Sequence, residues 1–403
     1  MQKKTKKRVL FVETGMGFGG SAISLKQIVE NLRNYDPVVV FYAENGHYFS
    51  DHFRDINTRF LGLKFTYKQK HTLRQRVENI TGNKLAISTL LTFFSFFSYL
   101  EDKITVYKLS RIIKRQKIDL MHINNGIDPI AVSAARQCGI PCIAHSRGHE
   151  YVPPKQTNID YISKLIAPTK KIAHHNRTHI NVPSEKIIVI HNSVDLEDYA
   201  DNKERAGLRS HYGLTNNEIL MGMFARVRPM KGQLVLAKAI CQLKEQGYPV
   251  KCLFVGDASD YGDDYLDEIK RYISQRNQEN AFIFAGYQSD TASHYAAVDI
   301  VVHPSISEEA FGRIIIEAWA SARPIVASNI GASVELIDHE KTGLIIEKNN
   351  PDELAKALER LIVDDKLNKE IAQAGARHSL NFGNDSLITA VEAIYRKTLD
   401  HTQ

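Results

Sequence analysis

At 403 residues, 43% apolar, 24% charged and 9% aromatic, the chain can bury a full core, and its length suits two domains of roughly 200 residues better than one. Its four cysteines, Cys138, Cys142, Cys241 and Cys252, form no CxxC pair, and the chain is far too long for a disulfide-stapled scaffold, which points to free thiols in a reducing cytosol. The formal charge of +6 is uneven: residues 1–200 carry 29 basic and 17 acidic groups against 23 and 29 in the remainder, and residues 50–118 alone hold 14 and 5, which points to an anionic partner there.

The chain opens with a basic stretch and the apolar run RVLFV, a superficial likeness to a secretory signal. The run is too short for the apolar core of such a signal and passes straight into glycines, so Lys7–Glu13 reads as a buried first strand. Gly15-x-Gly17-x-x-Gly20 follows, then the helical pattern Ala22–Leu32, and Pro37–Ala43 reads as a second buried strand. Ile118–Ile123 and Ile140–His145 are two more strands, separated by the helical Ile130–Cys138. The same grammar restarts with strands at Ile219–Phe224, Val250–Val255, Phe282–Ala285, Ile300–His303 and Ile325–Ala327, between helical stretches such as Gln233–Glu245 and Leu266–Gln275. Short continuous apolar strands alternating with helices predict parallel sheets covered on both faces. The polar stretch Leu196–Arg209 is the expected linker between the two series. Tandem α/β sheets bind ligands at the carboxyl ends of their strands.

Residues 65–118 break this pattern. KLAISTLLTFFSFFSYL is apolar and aromatic with basic clusters on both sides, and as a helix it places Leu85, Leu90, Leu91, Phe94, Phe97 and Leu100 largely on one side. Two readings follow: a helix that faces the core, or one that lies in an anionic membrane surface with Lys and Arg at the headgroups. No nucleic-acid-binding signature accompanies the basic residues. No run of 18 apolar residues is present, so no helix is expected to cross a bilayer.

The chemistry concentrates in the second half. In SEEAFGRIIIEAWAS, Glu309 and Glu317 stand eight apart, with Phe311 and Gly312 between them. A helix beginning near Phe311 would aim unpaired amides at a phosphate or sugar hydroxyl, and Gly312 would permit close approach. A continuous helix would separate the two carboxylates by about 12 Å, too far for the paired carboxylates of a retaining glycosidase. The plainer reading is a capped helix with exposed glutamates. Upstream, MGMFARVRPMKG puts Arg226 and Lys231 just after a strand, where two cations suit a departing diphosphate.

These segments resemble the motifs of retaining GT-B glycosyltransferases of the E-x7-E family, glycosyltransferase family 4-like or "glycosyl transferases group 1". The glutamate segment resembles EGFGxxxxEAMACGxPVVA, FARVRPMKG resembles GRLxxxKG, HNSVDLEDY resembles PNGVDxxxF, and VDIVVHPS resembles ADxxxxPS. The resemblance covers nearly the whole chain except residues 45–115. It implies two Rossmann-like domains facing across a cleft: an acceptor-side domain over 1–195 with a terminal helix at 382–403 crossing back to it, and a nucleotide-sugar domain over 196–381. It further implies Glu317 on the ribose, Glu309 beside the donor sugar with the Phe311 and Gly312 amides, and Arg226 and Lys231 on the diphosphate. Gly19 and Gly20 would form the N-terminal glycine loop, and His145 would face the donor sugar, with His149 a neighbour. Three departures stand out: Ala310 and Ser193 each stand where the family has a glycine, and Arg313 adds a charge beside the motif.

The expected reaction is transfer of a hexose-type sugar from a UDP- or GDP-linked donor, with retention, to a glycan or lipid-linked glycan in cell-surface polysaccharide synthesis. The donor is a substrate, so no cofactor is implied. No Asp-x-Asp occurs and the two cations can neutralise the leaving group, so metal independence is expected, and no metal ligands are assigned. The basic excursion suggests a cytoplasmic enzyme peripheral to the inner face of the membrane. The alternatives are an NAD-dependent oxidoreductase using Gly15, Gly17 and Gly20 with Glu44, a sugar-nucleotide epimerase or phosphorylase of the same fold, and a non-catalytic binding protein.

Overall fold

A computed structural model describes residues 6–15, 20–42, 53, 56–61, 84–149, 153–200, 204–258 and 264–400, with the side chains of 84–96 outside that description. Two compact units emerge, one of Met1–His191 with Leu387–Gln403 and one of Asn192–Ser386.

The first unit is built on a seven-stranded parallel sheet of order β3-β2-β1-β4-β5-β6-β7, the strands being β1 Lys7–Glu13, β2 Tyr35–Phe41, β3 Asn57–Phe60, β4 Leu120–Asn124, β5 Cys142–His145, β6 Lys164–Ala167 and β7 Ile187–Val189. Both faces are covered, which is why Val9–Val12 is apolar without alternation. On one face Leu10, Val12, Met121 and Cys142 pack against Val106, Leu109 and Ile113 of the helix Lys84–Gln116. On the other, Phe11, Val39 and Ile143 pack against the helix Gly20–Asn31 and against Leu387, Val391 and Tyr395 of the terminal helix Asn384–Asp400. Glu392 fastens that helix: its carboxylate accepts the Arg33 and Asn34 amides, each at 2.8 Å.

The second unit carries a six-stranded parallel sheet of order β10-β9-β8-β11-β12-β13: β8 Ile219–Phe224, β9 Val250–Val255, β10 Phe282–Gly286, β11 Ile300–His303, β12 Ile325–Ser328 and β13 Leu344–Ile346. The helices Gln233–Glu245 and Pro351–Val363 cover one face, and Thr291–Ala297 and Arg313–Ala320 the other. The stretch expected as a linker is not extended: Leu196–Ala200 and Arg205–His211 are short helices within this unit. Arg205 and Arg209 explain why, since both guanidinium groups donate to carbonyls at the end of the helix Thr291–Ala297 and both reach the Asp299 carboxylate.

Candidate functional site

At the carboxyl edge of the second sheet, β8 and β11 lie side by side and send out the two loops that carry the motifs. After β8 the chain passes Arg226 and a short turn, Pro229–Lys231, before the helix Gln233–Glu245. Gly232 has φ of 82°, and a Cβ there would lie 2.0 Å from the Pro304 carbonyl oxygen, so glycine permits both the turn and the approach of the two loops. The Ile306 amide donates to the Met230 carbonyl at 2.9 Å and ties the loops together.

The tie brings a cation onto a carboxylate. Lys231 Nζ stands 2.8 Å from Glu309 Oε1, His303 Nε2 lies 3.3 Å from the same oxygen, and the Ser305 hydroxyl also donates to it. Glu309 and Lys231 each keep about a fifth of their side chains exposed (22% and 21%), so the pair is open to a ligand. Burial alone would raise the Glu309 pKa; His303, Lys231 and the two hydrogen bonds outweigh it and hold the carboxyl at about 2. Burial keeps His303 below an ordinary histidine, so at neutral pH the ring is uncharged and the positive charge belongs to Lys231. A neutral His303 donates through Nε2, leaving Nδ1 buried without a hydrogen-bond partner.

Glu317 sits in a second setting. The helix begins only at Arg313, with Gly312 at its N-cap in the left-handed region at φ 71°. Glu309 therefore lies on the loop before the helix, and the spacing expected of one continuous helix does not apply. Glu317 Oε2 accepts the Tyr295 hydroxyl at 2.9 Å, and Oε1 is 3.3 Å from Arg313 Nε. Arg313 also donates to the Ser193 carbonyl at 2.8 Å, so two of the three departures from the motif are in contact. The Phe311 side chain is buried in the core. Arg226 is exposed, and its carbonyl accepts from Gln233 Nε2 at 2.9 Å.

The first unit has its own polar row. Register aligns Glu13, Asn124 and His145 at the carboxyl ends of β1, β4 and β5. Asn124 Nδ2 and Asn125 Nδ2 donate to the buried Glu13 carboxylate, the Gly15 amide does so at 2.6 Å, and Arg147 Nε donates to Asn124 Oδ1 at 2.7 Å. Burial raises the Glu13 pKa in spite of these donors. His145 is fully buried. Gly20 opens the helix Gly20–Asn31, Gly19 lies outside the described residues, and His149 stacks edge-on against His175 at 4.7 Å. Thus Lys231 and Glu309 meet in the second unit with His303 and Ser305, while His145 and Gly20 belong to the first. A cavity of about 1220 Å³, lined by Arg205, Arg209, Asp299 and Arg323, lies at the amino-terminal edge of the second sheet and contains none of Arg226, Lys231, Glu309 and Glu317.

Two parallel α/β units in tandem have the GT-B architecture of glycosyltransferases that use a nucleotide-sugar donor. Residues 18–198 match the model described as Glycosyltransferase Family 4, and residues 205–378 match Glycosyl transferases group 1. The chain belongs to this glycosyltransferase family. It is similar to UDP-Gal:alpha-D-GlcNAc-diphosphoundecaprenol alpha-1,3-galactosyltransferase of Escherichia coli, 28% identical over 299 residues, 70% of this chain and 75% of that protein. It is 27% identical to D-inositol 3-phosphate glycosyltransferase of Jonesia denitrificans over 60% of its length, spanning 58% of that protein. Among solved structures it resembles Anabaena Alr3699/HepE in complex with UDP, with a TM-score of 0.75, 23% identity, and coverage of 97% of this chain and 100% of the other.

Proposed function

We propose that the enzyme moves a hexose-type sugar, with retention and without a metal, from a UDP- or GDP-linked donor to a glycan or lipid-linked glycan in cell-surface polysaccharide synthesis. The observation that carries this reading is the pairing of Lys231 with Glu309, partly exposed at the carboxyl edge of the second sheet. Lys231, with Arg226, takes the diphosphate charge; Glu309 binds donor-sugar hydroxyls; Glu317 binds the ribose, exchanging its Arg313 or Tyr295 contact for the ligand; and the Phe311 and Gly312 amides lie at the sugar. In the first unit, His145 and the glycine loop of Gly19 and Gly20 are the residues assigned to the sugar and phosphate.

The bond from the anomeric carbon to the diphosphate oxygen breaks as the acceptor oxygen bonds the same face of that carbon. The acceptor proton passes to the departing diphosphate oxygen. The protein's part is positional and electrostatic. Two relatives support the substrate class: the E. coli protein by a name that specifies a UDP-sugar and a diphosphoundecaprenol-linked acceptor, and the Anabaena protein by its complexes with UDP and UDP-glucose. The basic, aromatic helix Lys84–Gln116 supports attachment to the inner face of the cytoplasmic membrane.

The test incubates the protein, with EDTA present, with a panel of UDP- and GDP-hexoses and polyprenyl-diphosphate sugar acceptors. Products are read by mass spectrometry and anomeric proton couplings. Release of nucleoside diphosphate matched by a retained glycosidic product is expected; an inverted product, or strict dependence on added divalent metal, would overturn the mechanism.

A further inference from the structure

Within the first unit a chain of hydrogen bonds runs from the terminal helix to His145. The Tyr395 hydroxyl is 2.5 Å from His122 Nδ1, and His122 Nε2 is 3.3 Å from His145 Nδ1. All three side chains are fully buried, and His145 Nε2 has no hydrogen-bond partner among the described residues. The chain can carry its protons in only two directions. If His122 donated to Tyr395 through Nδ1, two buried groups would lack partners, the phenolic proton and a bare His145 Nε2, against the His145 Nε2–H alone in the opposite direction, and each orphaned buried group is costly. If Tyr395 donates to His122, its hydroxyl proton is satisfied, His122 donates through Nε2, and His145 accepts at Nδ1. A doubly protonated His122 is a third possibility, but burial lowers its pKa to about 3 and excludes it at neutral pH.

We infer that Tyr395 and His122 are positioning residues that lock His145 in the tautomer protonated at Nε2, so that it offers a fixed N–H donor to an oxygen of the donor sugar. The functional half of this rests on the proposed transferase reading; the tautomer itself does not. His145 is neutral as well, since burial and the nearby Arg147 charge push its pKa well down, and it therefore cannot serve as a cationic acid at neutral pH. Tyr395 lies on the helix Asn384–Asp400, so the seating of that helix sets the proton position on a strand-end histidine about 250 residues earlier in sequence, the phenol and the first imidazole being 273 residues apart.

Nitrogen-15 spectra of histidine-labelled protein, with the His145 signals identified from His145→Ala, read the tautomer directly. A protonated Nε2 and a bare Nδ1 are expected at neutral pH; the reverse would overturn the inference and leave the transferase reading untouched. Tyr395→Phe should move the His145 nitrogens toward a mixture of tautomers and lower kcat/KM for the donor by roughly tenfold, the scale of one lost hydrogen bond. It should leave nucleoside diphosphate affinity unchanged. Added to His145→Ala, the same substitution should cost nothing further; full additivity would show that Tyr395 does not act through His145. Should no nucleotide sugar be turned over, the spectra still decide the tautomer, and it is the transferase reading that fails.

Discussion

Lys231 and Glu309 carry opposite charges 2.8 Å apart, yet their worth lies in what they offer a ligand. Lys231→Ala should lower kcat by roughly 10²–10³-fold, the usual scale for one lost transition-state donor, while thermal unfolding shifts little because the lysine is partly exposed. Near-normal turnover would remove it from the site. Glu309, held at about 2 against an ordinary 4.5, stabilises the fold through this shift fully above pH 4.5, and that contribution is lost as pH falls toward 2. Urea midpoints of wild type and Glu309→Gln should therefore converge between pH 4.5 and 2, and any acid limb of activity above pH 4 belongs to another group. The two glutamates, the two cations and His145 were assigned from the sequence because they stand in motifs. His303, Glu13 and Asn124 were not assigned, although each is a polar residue ending an apolar strand, which is the signal that marks a strand-end site. Tyr295 left no such signal. Its hydroxyl reaches Glu317 only because the ring stacks on Phe224 at 3.7 Å, a contact between elements far apart in sequence.

At the scale of elements, periodicity located nine of the thirteen strands among the described residues, Lys7–Glu13 and Ile219–Phe224 to the residue, and likewise the helix Gln233–Glu245. It missed β3, whose residues Asn57–Phe60 are half-exposed at a sheet edge, and β6, β7 and β13, which are only three or four residues long. The helix Lys84–Gln116 divides over its described part, from Phe97 onward. Thr105, Val106, Leu109 and Ile113 are buried, whereas Phe97, Tyr99, Leu100, Ile104 and Tyr107 are exposed, the last by 61%. Lys103 and Arg111 lie over the Tyr99 and Tyr107 rings at 5.3 and 5.7 Å. One face of the described part of the helix thus packs on the core, and an aromatic, basic face remains outside, the composition suited to an anionic interface; Phe97 and Leu100 of the apolar segment are exposed, and the side chains of Leu85, Leu90, Leu91 and Phe94 lie outside the described residues. Vesicles rich in phosphatidylglycerol should carry the protein upward in a density gradient. Joint substitution of Lys103, Arg111, Lys114 and Arg115 by Glu should cost several-fold or more in binding, at about 1 kcal/mol per basic residue near the surface. Flotation equal to wild type would argue against the membrane role.

For the molecule as a whole, the chain enters the second unit at Asn192 and leaves it at Ser386, so the first unit's fold is completed only by the last residues, Leu387 onward. This was legible only through the family resemblance, because an apolar period at the end of a chain does not say which sheet it will cover. The second unit, by contrast, is continuous in sequence and holds the only tryptophan, Trp319, fully buried with its indole N–H donated to the Thr342 carbonyl at 2.6 Å. Its fluorescence therefore reports unfolding of the unit that carries Lys231, Glu309 and Glu317. A ligand bound only by the folded state stabilises it by mass action, about 2.7 kcal/mol at one hundred times its dissociation constant. Melts followed through Trp319 should move up with the nucleoside diphosphate of the true donor and stay put with the others. Lys231→Ala should remove that shift while leaving the ligand-free transition in place. A shift that survives the substitution would put the diphosphate elsewhere in the unit, and a shift seen by circular dichroism but not through Trp319 would move the nucleotide to the other unit altogether.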